Sequence, residues 1–474
     1  MSERKRWADT LVNQTVQLAC VIMLLLLAAA FGGYSSQSAP GWTVLFVAGG
    51  LGCSYALATL RASHVAHYWP VLALALMPVL LLSAQLIPLP PQIWHQLPGR
   101  GLIIEIDRAA GLGAPWRPLS LVPPLTWHAL MGMLLPLATL LLAVQLDPRH
   151  QRRLVIFIVS LILMSGLLAI LQTQTPALRE MFGYRHGGGL VATGLFANRN
   201  HQGLALVCAV PFAMALLSNY AGRLSRVQRH LPGLAAVVVV LLLFPMILVT
   251  GSRAGLILFC ATIGVLPLLW PASDSQAARP ALTRAAVALA LVALLGSVAL
   301  LSFENGRAIA LFRLIEQDPT EDARPEFYKQ TAEFLGNYWP AGTGIGTFLP
   351  IYAVHEPAAL LHQFYVNQAH NDWLDLALTG GAAGILILLA FIGYGLVRGW
   401  TLLVAPTKPD MAVVWGRAGL VILILAGAAS VVDYPLRTPL MMALTALALV
   451  MTRSPIRKPS DGQSSKKHRS RSHG

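Results

Sequence analysis

The sequence predicts an all-α protein: a polytopic bundle of about twelve transmembrane helices with a large outer loop that contains an amphipathic helix. Three observations carry this. Hydrophobic residues make up 56% of the 474 positions and charged residues only 11%, against about 25% charged in a soluble domain. Long apolar runs recur along most of the chain, such as Leu234 to Val249 and Ala285 to Leu301. Period-2 alternation is weak, which argues against an outer-membrane barrel.

The expected spans are 11–31, 42–60, 69–88, 125–145, 153–171, 201–218, 233–249, 254–270, 284–302, 372–397, 411–431 and 436–452. The first follows Arg4, Lys5 and Arg6, but its length suits a retained helix better than a signal peptide. The sixth is short and polar at its start, and a tight turn separates the last two. Residues 1–452 read as one bundle, and 453–474 as a basic, Ser-rich disordered tail near anionic lipid.

Orientation follows from the short loops. Arg61; Arg149, Arg152 and Arg153; Arg223, Arg226 and Arg229; Arg279 and Arg284; and Arg398 with Lys408 all fall on one side, with both basic termini. That side is expected to be the cytoplasm. The alternate loop from Gly32 to Gly41 has no Lys or Arg. The net charge of +14 is explained by this bias, and no nucleic-acid recognition fold surrounds the basic tail. Cys20, Cys53, Cys208 and Cys260 all lie in spans without metal-like spacing and read as small core residues.

Three outer segments are long. Residues 89–124 are Pro-rich, with Trp94, Trp116 and Trp127 suggesting an interfacial layer. Residues 172–200 hold Arg179, Arg185, His186 and a Gly187–Gly189 run. Residues 303–371 form the largest loop. Within it, Phe327, Phe334, Leu335 and Tyr338 fall near one helical face, as in an amphipathic helix lying along the membrane.

Four polar groups share that outer side: F-A-N-R-N-H-Q-G at 196–203, T-G-S-R-A-G at 250–255, Arg324, and His370-Asn371. Arg199 and Arg253 violate the charge bias, so each needs a reason. Either could pair with a carboxylate or cap a helix end. Taken together, three arginines and a histidine fit a diphosphate better, because guanidinium forks bind phosphate oxygens in pairs. Asn198, Asn200 and Ser252 would add neutral hydrogen bonds. His370 alone reads as an interface histidine; with the arginines it suits a general base. His201, His355 and His362 are weaker candidates. Asp372 and Asp375 would hold His370 or an arginine in place, and Asp433 sits in the last outer turn. No HExxH spacing exists, so no metal is expected, nor any other cofactor. The Gly342–Gly346 run follows no strand and reads as a tight turn that lets backbone approach a ligand.

These segments resemble the O-antigen ligase and polymerase superfamily of bacterial inner-membrane glycosyltransferases. The ligase signature is His, then Asn, Ser or Gln, nine residues, Gly, two residues, and Gly, Thr or Tyr. His370, Asn371, Gly381 and Gly384 stand at those spacings. The segments at 196–201, 252–255 and 342–348 look like family blocks in family order, so the resemblance covers roughly 190–390. It implies a donor glycan on undecaprenyl diphosphate, presented in the periplasm, and metal-independent transfer with inversion. Carried over, His370 would deprotonate or orient the acceptor hydroxyl. Arg199, Arg253 and Arg324 would bind the diphosphate, with Arg307 and Arg313 competing for the place of Arg324. Asn200 and Asn371 would position these groups. The acceptor would be a growing glycan, favoured by the tryptophan-bearing segment at 89–124, or lipid A-core, or a protein. A transporter or flippase of lipid-linked glycans is the alternative from another class. It predicts charged groups at both faces of the bundle, whereas here the polar groups concentrate at one.

Overall fold

A computed structural model describes residues 13–35, 41–175, 192–221, 231–269, 296, 309–315, 324–356, 368–404 and 411–453. Among them, nine helical segments are long and apolar enough to cross a membrane, with two shorter apolar helices at Arg253–Leu269 and Pro439–Met451. Together they account for every expected span except 284–302, of which only residue 296 is among the described residues. The tail from 454 onward lies outside them.

In chain order the first spans are α1 (Gln14–Phe31), α2 (Trp42–Thr59) and α3 (Ala62–Gln85). A connecting segment follows, with β1 (Pro88–Leu89), α4 (Pro91–Trp94), α5 (Gly101–Ala109) and β2 (Arg117–Pro118). α6 (Pro123–Gly132) and α7 (Leu134–Ala143) form the next span, and α8 (Pro148–Gln174) returns. Then come α9 (Arg199–Ala221), α10 (Leu231–Thr250) and α11 (Arg253–Leu269). α12 (Ile309–Ile315), α13 (Arg324–Leu335) and α14 (Phe348–His355) lie between α11 and the next long helix. α15 (Asp372–Leu403), α16 (Met411–Ala429), a 3-10 turn at Pro435–Arg437 and α17 (Pro439–Met451) complete the chain.

α9 is the central helix. Its span window is 89% buried, whereas the other windows reach at most 50%. It packs against α8, α10, α11 and α16. Small side chains permit this: a Cβ added at Gly255 of α11 would lie 3.1 Å from the Gly203 Cα of α9. Without a hydrophobic force between helices in lipid, such close backbone approach supplies the packing energy.

Hydrogen bonds sort the helix ends into two groups. At one end the Asp147 amide donates to Gln14 Oε1 at 2.6 Å, His67 Nε2 donates to the Arg453 carbonyl at 2.7 Å, and Arg398 Nε donates to the Thr452 carbonyl at 2.7 Å. This is the basic end. At the other end the amides of Ala197 and Leu440 donate to Gly33 and Gly32 carbonyls, at 3.0 and 3.2 Å. The polar groups singled out in the sequence gather there.

α15 is broken at Gly381 (φ 58°, ψ −151°). The Gly342 loop completes the broken backbone. Thr343 and Gly344 amides donate to the Leu378 and Thr379 carbonyls at 3.1 and 2.9 Å, and the Ala382 amide donates to the Pro340 carbonyl at 2.9 Å. Buried helix breaks survive in a membrane protein only when their polar groups are satisfied in this way. The glycine run was expected to approach a ligand; it instead packs on the chain's own helix. Gly381→Ala would drive a Cβ into the Pro340 carbonyl at a left-handed φ. We expect a loss of at least about 2 kcal/mol, read as a lower thermal midpoint or failure to accumulate.

The amphipathic α13 also differs from expectation. Phe334 and the following Tyr338 are each 6% exposed and pack with Phe348, Ile351, Tyr352, Ala369 and Leu378. The apolar face therefore covers α14 and the start of α15 rather than lipid. Trp94 is likewise buried, its Nε1 donating to the Pro118 carbonyl at 2.8 Å, while Trp116 and Trp127 are exposed.

Candidate active site

His370 has a positive φ (51°), uncommon for any residue but glycine. It stands immediately before the N-cap of α15. The cap is Asn371, whose Oδ1 accepts from the Trp373 and Leu374 amides, each at 3.0 Å. Asn371 thus starts the helix; its acceptor oxygen is committed to the backbone. Tyr328 on α13 donates its hydroxyl to the His370 carbonyl at 2.8 Å, fixing the strained residue. The Tyr434 ring meets the imidazole edge-on at 4.9 Å between centroids, and Phe327 lies beyond it at 6.5 Å.

One carboxylate joins the separate segments. Asp433 is 1% exposed in the turn after α16. Its Oδ1 lies 3.5 Å from His370 Nδ1 and 3.9 Å from His201 Nε2. Its Oδ2 accepts from Asn200 Nδ2 at 2.6 Å and Asn198 Nδ2 at 3.1 Å, and its Oδ1 accepts from the Tyr434 amide at 2.9 Å. Burial pushes the carboxyl group up, but contact with His370, the charges of His201 and His370 and the Asn200 amide outweigh it. The net effect holds Asp433 well below the usual carboxylate range. Nδ1 of His370 is buried, yet 28% of its side chain is exposed. The buried edge faces Asp433 and the remaining ring opens outward.

The network continues to α11. Asn200 Oδ1 accepts from the Ser252 hydroxyl at 2.9 Å, and Ser252 Oγ accepts from the Gly255 amide at 2.9 Å. Arg199 and Arg253 are each next to a member of this chain in sequence, and both are half-buried. Arg199 reaches the Gly251 turn, two residues before Arg253: a Cβ added at Gly251 would lie 3.9 Å from Arg199 Cδ. A third arginine is present, since Arg313 Nη1 donates to the Gly251 carbonyl at 2.9 Å. Of the residues competing for the third cationic position, Arg313 therefore reaches the same Gly251 turn as Arg199. Arg324 begins α13, one turn before Tyr328; its side chain, like Arg307 and His362, lies outside the described residues.

Asp375 does not hold His370. Together with Asp372 it clamps Arg437, whose Nε is 3.0 Å from Asp372 Oδ1 and whose Nη2 is 2.9 Å from Asp375 Oδ1. Asp372 also accepts from the Ser430 hydroxyl and the Leu436 amide. This ion triad pins the 430–437 turn, and hence Asp433, to the start of α15. Burial lowers the Arg437 guanidinium, but the two carboxylates more than restore it, for a net rise. Arg437→Leu would strand two buried carboxylates, and we expect a loss of about 3–5 kcal/mol, measured as a fall in the unfolding midpoint in detergent. His355 has a structural partner of its own: its Nε2 is 2.8 Å from the Tyr338 hydroxyl.

Asp433, Arg437, Tyr328 and Tyr434 complete the site, and sequence reasoning gave none of them a role in it. Arg437 carries the signal that singled out Arg199 and Arg253, a cation on the side opposite the basic loops. Tyr328 carries none, because its function depends on the unusual backbone of His370.

Residues 237–389 match a protein-family model described as O-antigen ligase. The matched segment includes Ser252, Arg253, Arg313, Tyr328, His370 and Gly381, and ends before Asp433. No curated protein matches the chain. The match indicates an O-antigen ligase/polymerase type of function, that of a glycosyltransferase-like enzyme, carried here by a multi-pass membrane protein. Over residues 237–389 the chain is similar to the O-antigen ligase family.

Proposed function

We propose that the protein transfers a glycan from an undecaprenyl-diphosphate-linked donor to a saccharide hydroxyl on the periplasmic side of the bacterial inner membrane, and that its product is a polymerised surface polysaccharide or exopolysaccharide. The observation that carries this reading is one buried carboxylate, Asp433, shared between segments. It links the imidazole of His370 to the asparagines flanking Arg199 and, through Ser252, to Arg253. A general base and a cationic site are thereby held in one rigid network.

The chemistry follows from those groups. The acceptor oxygen attacks the anomeric carbon as its proton passes to the open ring nitrogen of His370, Nε2. The bond from that carbon to the diphosphate oxygen breaks, and its electron pair leaves with undecaprenyl diphosphate. A single displacement inverts the anomeric centre. Asp433 stabilises the imidazolium that forms. Arg199, Arg253 and Arg313, with Arg324 as a further candidate, stabilise the departing diphosphate electrostatically, without a metal. Asn198, Asn200 and Ser252 hold the two halves in register, and Asn371 fixes the helix start behind His370.

A fork is needed to grip two phosphate oxygens at once, so Arg253→Lys is expected to slow transfer by about tenfold or more. An unchanged rate would reduce Arg253 to a helix-terminal charge. The reading itself is tested by deleting the gene and comparing surface glycans with those of a complemented strain. Accumulated single repeat units are the expected result. Free long chains beside unmodified lipid A-core would identify ligation to lipid A-core instead, and an unaltered glycan pattern would overturn both.

A further inference from the structure

The segment between α3 and α6 carries apolar surface that the protein leaves uncovered. Leu102 and Ile106, one turn apart on α5, are 51% and 50% exposed, and Leu112 and Trp116 are 59% and 65% exposed. The segment is ordered internally. β1 pairs antiparallel with β2, Arg117 is ion-paired with Asp107, and Trp94 is buried beneath β2. These four side chains are therefore held outward by a built scaffold.

Two constraints fix what they meet. β1 begins three residues beyond α3, at the end opposite Arg61, and β2 ends five residues before α6. A chain extends at most about 3.5 Å per residue, so the scaffold cannot leave the membrane boundary. Trp127, in the first turns of α6, is also 53% exposed, which continues the apolar surface into the lipid-facing wall of the span. Tryptophan and aliphatic side chains at that depth partition into the headgroup region.

The same scaffold touches the helix break. Arg100, 1% exposed, donates to the Pro98 carbonyl at 2.7 Å, to the Leu119 carbonyl at 2.8 Å and to the Gly342 carbonyl at 3.0 Å. Gln85, the last residue of α3, donates to the Thr379 carbonyl at 3.0 Å and accepts from the Ile345 amide at 2.9 Å. A force on the outer segment is thus delivered to the Gly342 loop and the Gly381 break, eleven residues after His370.

We propose that residues 102–116 dock on the lipid headgroup surface through Leu102, Ile106, Leu112 and Trp116, and through Arg100 set the height of the helix that presents His370. The docking stands on exposure and chain connectivity alone; its effect on transfer rests on the function proposed above.

The test uses the full chain with Cys20, Cys53, Cys208 and Cys260 replaced by alanine and Trp116→Cys or Leu112→Cys labelled with bimane. The protein is reconstituted in phosphatidylethanolamine/phosphatidylglycerol vesicles. Headgroup-region nitroxide lipids should quench both labels more strongly than aqueous iodide. Quenching by iodide alone would place the segment in water, and quenching by neither would mean that protein, such as a second copy, covers it; either result overturns docking. The exposed double variant Leu112→Ser/Trp116→Ser should then lower transfer by about tenfold, as small misplacements of reacting groups do. Lipid quenching with undiminished transfer would overturn the coupling. Absence of transfer from the unmodified protein would instead count against the proposed function, leaving the quenching result intact.

Discussion

His370→Ala is expected to lower glycan transfer by at least about 100-fold, the lower bound for losing a positioned general base, while the protein still inserts in the membrane. The reason is geometric. Among the described residues, only this imidazole combines a buried edge against Asp433 with an open edge outside. Alanine at a left-handed φ adds backbone strain, so a second substitution separates the two effects. Asparagine tolerates this conformation, and His370→Asn should keep the fold and still be inactive. Normal product from His370→Asn would remove the imidazole from the mechanism. Tyr328, which holds the same backbone through the His370 carbonyl, leaves both readouts interpretable because that bond survives either substitution.

Asp433→Asn carries the second large effect. The amide keeps an acceptor for Asn200 but loses the charge that offsets an imidazolium, and we expect transfer to fall by about 100-fold or more. The pH dependence distinguishes this from general damage. The Asp433 carboxyl group is held below its usual range, so it is ionised wherever imidazole titrates. A carboxylate with a depressed folded value stabilises the fold at pH above its unfolded value, near 3.9, and loses that contribution only as pH falls through the folded value. Between pH 5 and 8 its contribution to stability is constant. The variant should therefore be slow at every pH in that window, with no recovery at either end, and thermal melting of the wild type should show no step attributable to Asp433 there.

The bundle was legible because hydropathy and loop charge are strong, repeated signals. The clustering of outer groups was legible for a related reason. Arg199 and Arg253 stand where arginine is disfavoured, and the structure brings Arg199 to the Gly251 turn that precedes Arg253. The details that escaped depend on contacts between distant segments. Asp372 and Asp375 were expected to hold His370 or an arginine; they hold an arginine, but which one, Arg437, sixty-two residues beyond Asp375, was not legible. Asn371 looked like a positioning amide and is an N-cap, because the helix begins at the next residue. The Gly342 run resembled a ligand-binding loop because positive-φ glycines serve any close backbone approach. Here the approaching backbone is that of Gly381, whose own place in the His-Asn-x9-Gly spacing is explained by the break it makes in α15. α13 has the amphipathic pattern of a membrane-surface helix, and periodicity alone does not say whether lipid or protein covers the apolar face.

The central claim is that one imidazole and a set of guanidinium groups at the end of the bundle away from the basic loops serve a substrate outside the cytoplasm. Sidedness at residue 370 tests it most directly. With the four native cysteines replaced, His370→Cys should react with a membrane-impermeant maleimide in spheroplasts whose inner membrane is intact, while a cysteine in place of Arg398, at the basic end, should react only after that membrane is opened. Labelling of position 370 confined to opened membranes would contradict the account.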